Sequence, residues 1–198
     1  MSMHTIVRTT VIAAAAFALA ACGSHAQMRT GFIPGSTALV EKDDMTSQWR
    51  ASFDATRFSG VVVEPVATPA TGAYGDLSDE KLAEVRKIFA ESISEEFKGM
   101  PVNGKAGANP LVIRAAVTAI KPNKPVLNVA PQTQMLKRGY GYASCEIYAT
   151  DGRDGPVVAA FMQTSDTQRL STEKYSDTGT AERAAKDWAK AFRELIGR

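Results

Sequence analysis

A chain of 198 residues carrying 23 Lys and Arg against 21 Asp and Glu is long enough for one domain with a sizeable core, and is close to neutral. Near-neutrality removes the electrostatic case for nucleic acid as a partner. The two histidines, His4 and His25, both precede residue 30. A His-dependent triad or a His-rich metal site would therefore need a side chain from the extreme N-terminal stretch, which excludes most hydrolase and metalloenzyme designs.

The chain opens with Arg8 and then an apolar run from Val11 to Leu19. A positive start, a short apolar stretch and small residues at its end read as a secretory signal over residues 1–21, too short to span a bilayer. Leu19-Ala20-Ala21-Cys22 resembles the lipobox of bacterial lipoproteins. That resemblance implies cleavage before Cys22, a thioether-linked lipid on its sulfur and an acyl group on its amine. Several chains together hold far more firmly than one, at roughly 0.8 kcal/mol per buried CH₂. Gly23 stands where inner-membrane lipoproteins carry Asp, so the resemblance implies the periplasmic face of the outer membrane. With Cys22 lipidated, Cys145 is the one remaining thiol and no intrachain disulfide is expected.

Residues 22–30 read as a short tether and 31–198 as a single periplasmic α+β domain, its first part, 31–59, a wrapping segment with a short helix at about 36–42. Val61 to Val66 is rich in β-branched residues and predicts a strand, with Pro65 ending it or placing it at an edge. A helix follows over about 78–98. Ser78 caps it, Asp79 and Glu80 suit its positive end, and Gly99 and Pro101 stop it. Leu82, Val85, Ile88, Phe89, Ile93 and Phe97 form its apolar face. Leu111 to Ile120 reads as a strand with Leu111, Ile113, Ala115, Val117 and Ala119 on one side and Arg114 and Thr118 on the other. Tyr140 to Thr150 and Val157 to Thr167 read as a hairpin turning at Asp151 to Gly155. Thr180 caps a last helix to about 196, striped by Ala181, Ala184, Ala185, Trp188, Phe192, Leu195 and Ile196. The order β-α-β-β-β-α predicts an α+β fold, a mostly antiparallel sheet with both amphipathic helices packed on one face.

Thr30-Gly31-Phe32-Ile33, Val62-Val63-Glu64-Pro65-Val66 and the ending Ala181 to Ile196 with Asp187-Trp188-Ala189 resemble the bacterial lipoprotein family called domain of unknown function 3313. The family contributes no established activity or catalytic residues. The strand Val61–Val66 leading into a helix, Leu111–Ile120, the turn at Asp151-Gly152 and the closing helix resemble, more faintly, periplasmic domains of curli-secretion, cell-wall-synthase-activator and TolB-type proteins. That likeness implies binding or assembly with proteins. The synthase activators carry a long tether, however, and this chain has a short one.

Several motifs carry chemistry elsewhere. Gly99 to Ala106 nearly matches a phosphate-binding P-loop, but Ala106 replaces the Mg²⁺-binding hydroxyl and the stretch follows a helix, so a plain loop is expected. Ser78-x-x-Lys81 and Ser171-x-x-Lys174 fit a Ser-Lys pattern without its companion Lys-Thr-Gly or Ser-Asp-Asn, and capping accounts for Ser78. Asp151 and Asp154 suit a hairpin turn better than a calcium loop. Cys145 shares parity with Ala143, Ile147 and Ala149, which predicts a buried, inert thiol. No cofactor and no metal are expected.

The stretch from Lys121 to Gly139 is long for a connection, and such connections are usually functional or disordered. It gathers Val126, Leu127, Val129, Met135 and Leu136 beside Lys137, Arg138, Tyr140 and Tyr142. Met135, Leu136, Lys137, Arg138, Tyr140 and Tyr142 are the candidate partner-binding residues, the alternative being that they fold back onto the core. Tyr142, Glu146 and Tyr148, on one face of the following strand, extend such a patch. The function expected is that of a non-enzymatic outer-membrane lipoprotein. It is held to the membrane at Cys22, and its domain binds an envelope protein or further copies of itself. The alternatives are a small-ligand or glycan-binding module and a hydrolase that needs no core histidine.

Overall fold

In the computed structural model, described over residues 29–100, 103, 107–121, 141–166 and 179–197, two helices lie on one face of a six-stranded sheet. Strands β1 (Val40–Asp43), β2 (Thr46–Arg50) and β3 (Gly60–Val63) precede helix α1 (Asp79–Glu96). Then come β4 (Pro110–Lys121), β5 (Tyr142–Asp151), β6 (Val157–Asp166) and helix α2 (Gly179–Ile196). The order across the sheet is β1-β2-β6-β5-β4-β3. Every pairing is antiparallel except β3 with β4, the two strands that α1 connects.

The helices form where the periodicity places them. In α1, Val85, Phe89 and Ile93 are buried at four-residue intervals and Phe97 closes the row, while Leu82 and Ile88 are half-buried on its flanks. The expected stripe of α2 is buried throughout, together with Ala189. Trp188 meets Phe89 edge-on at 5.4 Å, and its indole N–H donates to Ser165 Oγ at 3.0 Å. Arg193 lies over the Phe97 ring. Contacts from 89 to 188 and from 97 to 193 advance together, so the two helices run in the same direction. Helix α2 begins at Gly179, which puts Thr180 inside its first turn and not at the expected cap.

The sheet departs from expectation in two places. The first is residues 36–42, where a short helix was expected. Instead Val40–Asp43 pairs with Thr46–Arg50 as a hairpin, and β2 pairs onward with β6. Asp43 Oδ1 accepts the N–H of Met45 at 2.9 Å, a side-chain turn that competes with helix formation. The second is β4. A bulge between Val117 and Ala119 shifts the alternation, so Ile120 joins the helix-side core and Ala119 pairs with Ser144 on the opposite face. Thr118, which the sequence puts on the same side as Arg114, is fully buried.

Strand β3 ends at Val63, before Pro65, as the missing N–H requires. The chain still follows β4, bonding to it through Ala67 and Ala73. The Tyr74 hydroxyl sits within hydrogen-bond distance of the carbonyls of Pro69 (2.8 Å) and Val117 (2.9 Å). Burial pushes its pKa up to about 12, against the opposing charge of Arg86.

Candidate functional site

The face of the sheet opposite the helices carries the most constructed polar arrangement in the described chain. Residues 30–39 cross it as a strap. Glu146, read from sequence as part of an exposed patch with Tyr142 and Tyr148, is instead fully buried beneath that strap. Its Oε1 accepts the backbone N–H and the hydroxyl (2.9 Å) of Thr30, and its Oε2 accepts the N–H of Ile33 at 2.9 Å. A buried carboxylate is tolerable only when its lone pairs are satisfied, and here three donors satisfy it. Gly31 turns the chain between those donors at φ +84°, a conformation that disfavours any side chain. Ile33 is fully buried against Ala160 and Met162, and the Phe32 ring lies 5.5 Å from that of Tyr148. Thr71 Oγ1 donates to the Thr30 carbonyl at 3.3 Å. The strap thus begins at a fixed point.

Beside it, Arg114 forms a two-pronged pair with Glu64 (Nε to Oε2 2.9 Å, Nη2 to Oε1 3.1 Å). It also donates to Thr150 Oγ1 at 2.9 Å and to the Arg153 carbonyl at 2.8 Å, and lies over the Tyr148 ring. This guanidinium ties the end of β3 to β4, β5 and the β5–β6 turn.

Motif residues within the described chain have structural uses. Ser78 caps α1 through the N–H of Lys81, while Lys81 Nζ pairs with Glu84 at 3.4 Å and not with the serine. Asn103 adopts φ 54° and its Oδ1 accepts the N–H of Val63 at 2.9 Å, closing the outer edge of β3. Residues 101–102 and 104–106 of the P-loop-like stretch lie outside the described residues, as does Ser171-x-x-Lys174. Asp151 pairs with Arg57, Gly152 turns at φ +72°, and a Cβ on Gly155 would fall 1.7 Å from the Asp151 carbonyl oxygen. These residues form a hairpin turn. Among the described residues no cluster of His, Cys, Asp and Glu is arranged to hold a metal. Cys145 is buried, and burial pushes its thiol pKa well above the ordinary value.

Of the candidate partner-binding residues, Tyr142 is the one within the described chain. It begins β5, half-buried, with Lys121 of β4 opposite it on one side and Asp166 of β6 on the other. Met135, Leu136, Lys137, Arg138 and Tyr140 lie outside the described residues, as does Cys22.

Sequence reasoning missed two open grooves along α1. One, of about 420 Å³, runs between α1 and β3 past Glu64, Pro65, Ala90, Ser94 and Asn103. The other, of about 460 Å³, runs between α1 and α2 past Ile88, Ser92, Glu96, Glu182 and Lys186. Glu91 and Glu95 border both, with Glu91 pairing Lys87 and Glu95 pairing Lys98 on the helix surface. The acidic side chains were visible in the sequence. That they would border grooves depends on how α1 sits against β3 and α2.

The architecture is that of an α+β domain, a mixed, mostly antiparallel sheet carrying two helices on one face. The chain belongs to the protein family of unknown function DUF3313, whose sequence profile matches residues 36–192. No curated protein matches it in sequence. Among solved structures it is similar to the PelC dodecamer of Paraburkholderia phytofirmans, at 14% identity and a TM-score of 0.45, over 77% of this chain and 98% of that one. It is also similar to a PDZ domain protein from Parabacteroides distasonis, at 14% identity and a TM-score of 0.40, over 74% of this chain and 35% of that one.

Proposed function

We propose that this chain is a non-enzymatic lipoprotein, anchored through lipid on Cys22 to the periplasmic face of the bacterial outer membrane, whose domain binds another envelope protein at the Tyr142 end of its sheet. The observation that carries the reading is the convergence at that end. Lys121, Tyr142 and Asp166 stand side by side there across three paired strands. The connections 122–140 and 167–178 both leave from it. Connections held at one end of a rigid sheet are where binding residues concentrate. The first of them supplies Met135, Leu136, Lys137, Arg138 and Tyr140, apolar and basic side chains of the kind interfaces use.

The non-enzymatic part is supported by the employment of the reactive groups. Ser78 caps a helix, Glu146 holds the strap, Arg114 and Glu64 hold each other, and Cys145 is a buried core thiol. The test is site-specific photo-crosslinking in growing cells, with the probe at Met135 and then at Tyr142, and at Lys87 on the exposed side of α1 as control. A discrete adduct from the first two positions and not from Lys87 is expected, its mass separating a different protein from a second copy of this chain. Absence of any adduct at both Met135 and Tyr142 would remove this end of the sheet as the binding site.

A further inference from the structure

The strap fixes more than a packing contact, because it sets where the chain leaves the domain toward its anchor. Thr30 is held on the helix-free face by Glu146 beneath it and by Thr71 beside it. Cys22 lies eight residues before it. Eight residues reach at most about 28 Å when fully extended.

Resting on the anchored reading above, we infer that this short tether, joined to the domain at the held Thr30, orients the domain: the strap-covered face is turned toward the lipid surface, and the α1–α2 layer points away from it. Reaching the opposite orientation would require the tether to leave Thr30 above β5 and pass two strand spacings of about 4.8 Å to the β3 edge. It would then have to descend past the sheet and a helix layer about 10 Å across. That path takes about 20 Å of the roughly 28 Å available even before the thickness of the sheet is counted, whereas leaving from the strap-covered face takes none of it.

The experiment uses full-length lipidated protein in vesicles of phosphatidylethanolamine and phosphatidylglycerol containing a small fraction of headgroup nitroxide lipid. An environment-sensitive fluorophore is placed at Ser36→Cys on the strap or at Lys87→Cys on α1, both exposed positions, while the buried Cys145 thiol stays unlabelled in the folded protein. Quenching at position 36 at least about threefold stronger than at position 87 is expected. A flexible insertion of twenty Gly and Ser residues between Met28 and Arg29, which leaves the strap itself untouched, is expected to erase that difference. Equal quenching at the two positions in the short-tethered protein, or stronger quenching at 87, would overturn the orientation while leaving the anchor intact. A mass measurement on the same sample that finds no lipid on Cys22 would overturn the anchored reading and the orientation with it.

Discussion

Glu146 exchanges a large desolvation cost for control of the N-terminal strap. Its three hydrogen bonds, with partners at Thr30 and Ile33, are charge-assisted, a class in which each bond contributes about 1.5–3 kcal/mol. Glu146→Ala leaves two strap N–H groups without their acceptor and is expected to lower stability by about 3 kcal/mol in urea denaturation, with the strap becoming sensitive to limited proteolysis near Phe32. A loss under about 0.5 kcal/mol would mean that the strap is held by Ile33 and Phe32 alone. Tyr74 makes stability depend on pH. Its pKa is raised to about 12 by burial, so the hydroxyl is neutral in the fold at pH values where an exposed tyrosine, near pH 10, already ionises. The unfolded chain therefore gives up that proton first. Stability tied to Tyr74 is fully present below about pH 10 and is lost as pH rises toward 12. One of the five tyrosines is expected to titrate late in an ultraviolet absorbance titration. Tyr74→Phe is expected to remove that late step and to flatten the stability loss between pH 10 and 12.

The elements were legible wherever burial writes a period into the sequence. Helices α1 and α2 bury one stripe each, and the sequence of β5 alternates small or apolar with polar residues, so Cys145, Ile147 and Ala149 face the helices as their parity requires. Two of the features that were not legible have clear physical reasons. Strand β1 is an edge whose four residues are all exposed. With neither face buried, Val40-Glu41-Lys42-Asp43 has no alternation to read, although charged residues at an edge are what limits unwanted strand pairing. The β4 bulge exchanged the roles of Ala119 and Ile120, and nothing in the sequence Ala115 to Ile120 marks where a bulge falls. The candidate site was legible in one half. Tyr142 stands at the sheet end from which the long connection leaves, whereas the burial of Glu146 depends on a strap more than a hundred residues away in sequence. At this scale the joint between the helices is the exposed test. Phe89, fully buried against Trp188, is expected to cost about 3–5 kcal/mol as Phe89→Ala, read by thermal denaturation together with a loss of the near-ultraviolet signal of Trp188. An unchanged Trp188 signal would contradict the packing described.

At the scale of the whole molecule, three arrangements compose one account. The helix-free face is crossed by the strap, the opposite face carries both helices, and the Tyr142 end gathers the connections that leave β4 and β6. Among the described residues no helix is long and apolar enough to cross a membrane. The attachment proposed here is through lipid on Cys22. The most direct measurement is mass spectrometry of the tryptic peptide Cys22–Arg29 from protein extracted with detergent from the cell envelope. The account predicts a peptide that begins at Cys22, with diacylglycerol on its sulfur and a fatty acyl group on its amine, and predicts that Cys22→Ser yields an uncleaved chain retaining residues 1–21. A wild-type peptide with a free amine and an unmodified Cys22 thiol, or a mature chain beginning at any other residue, would contradict it.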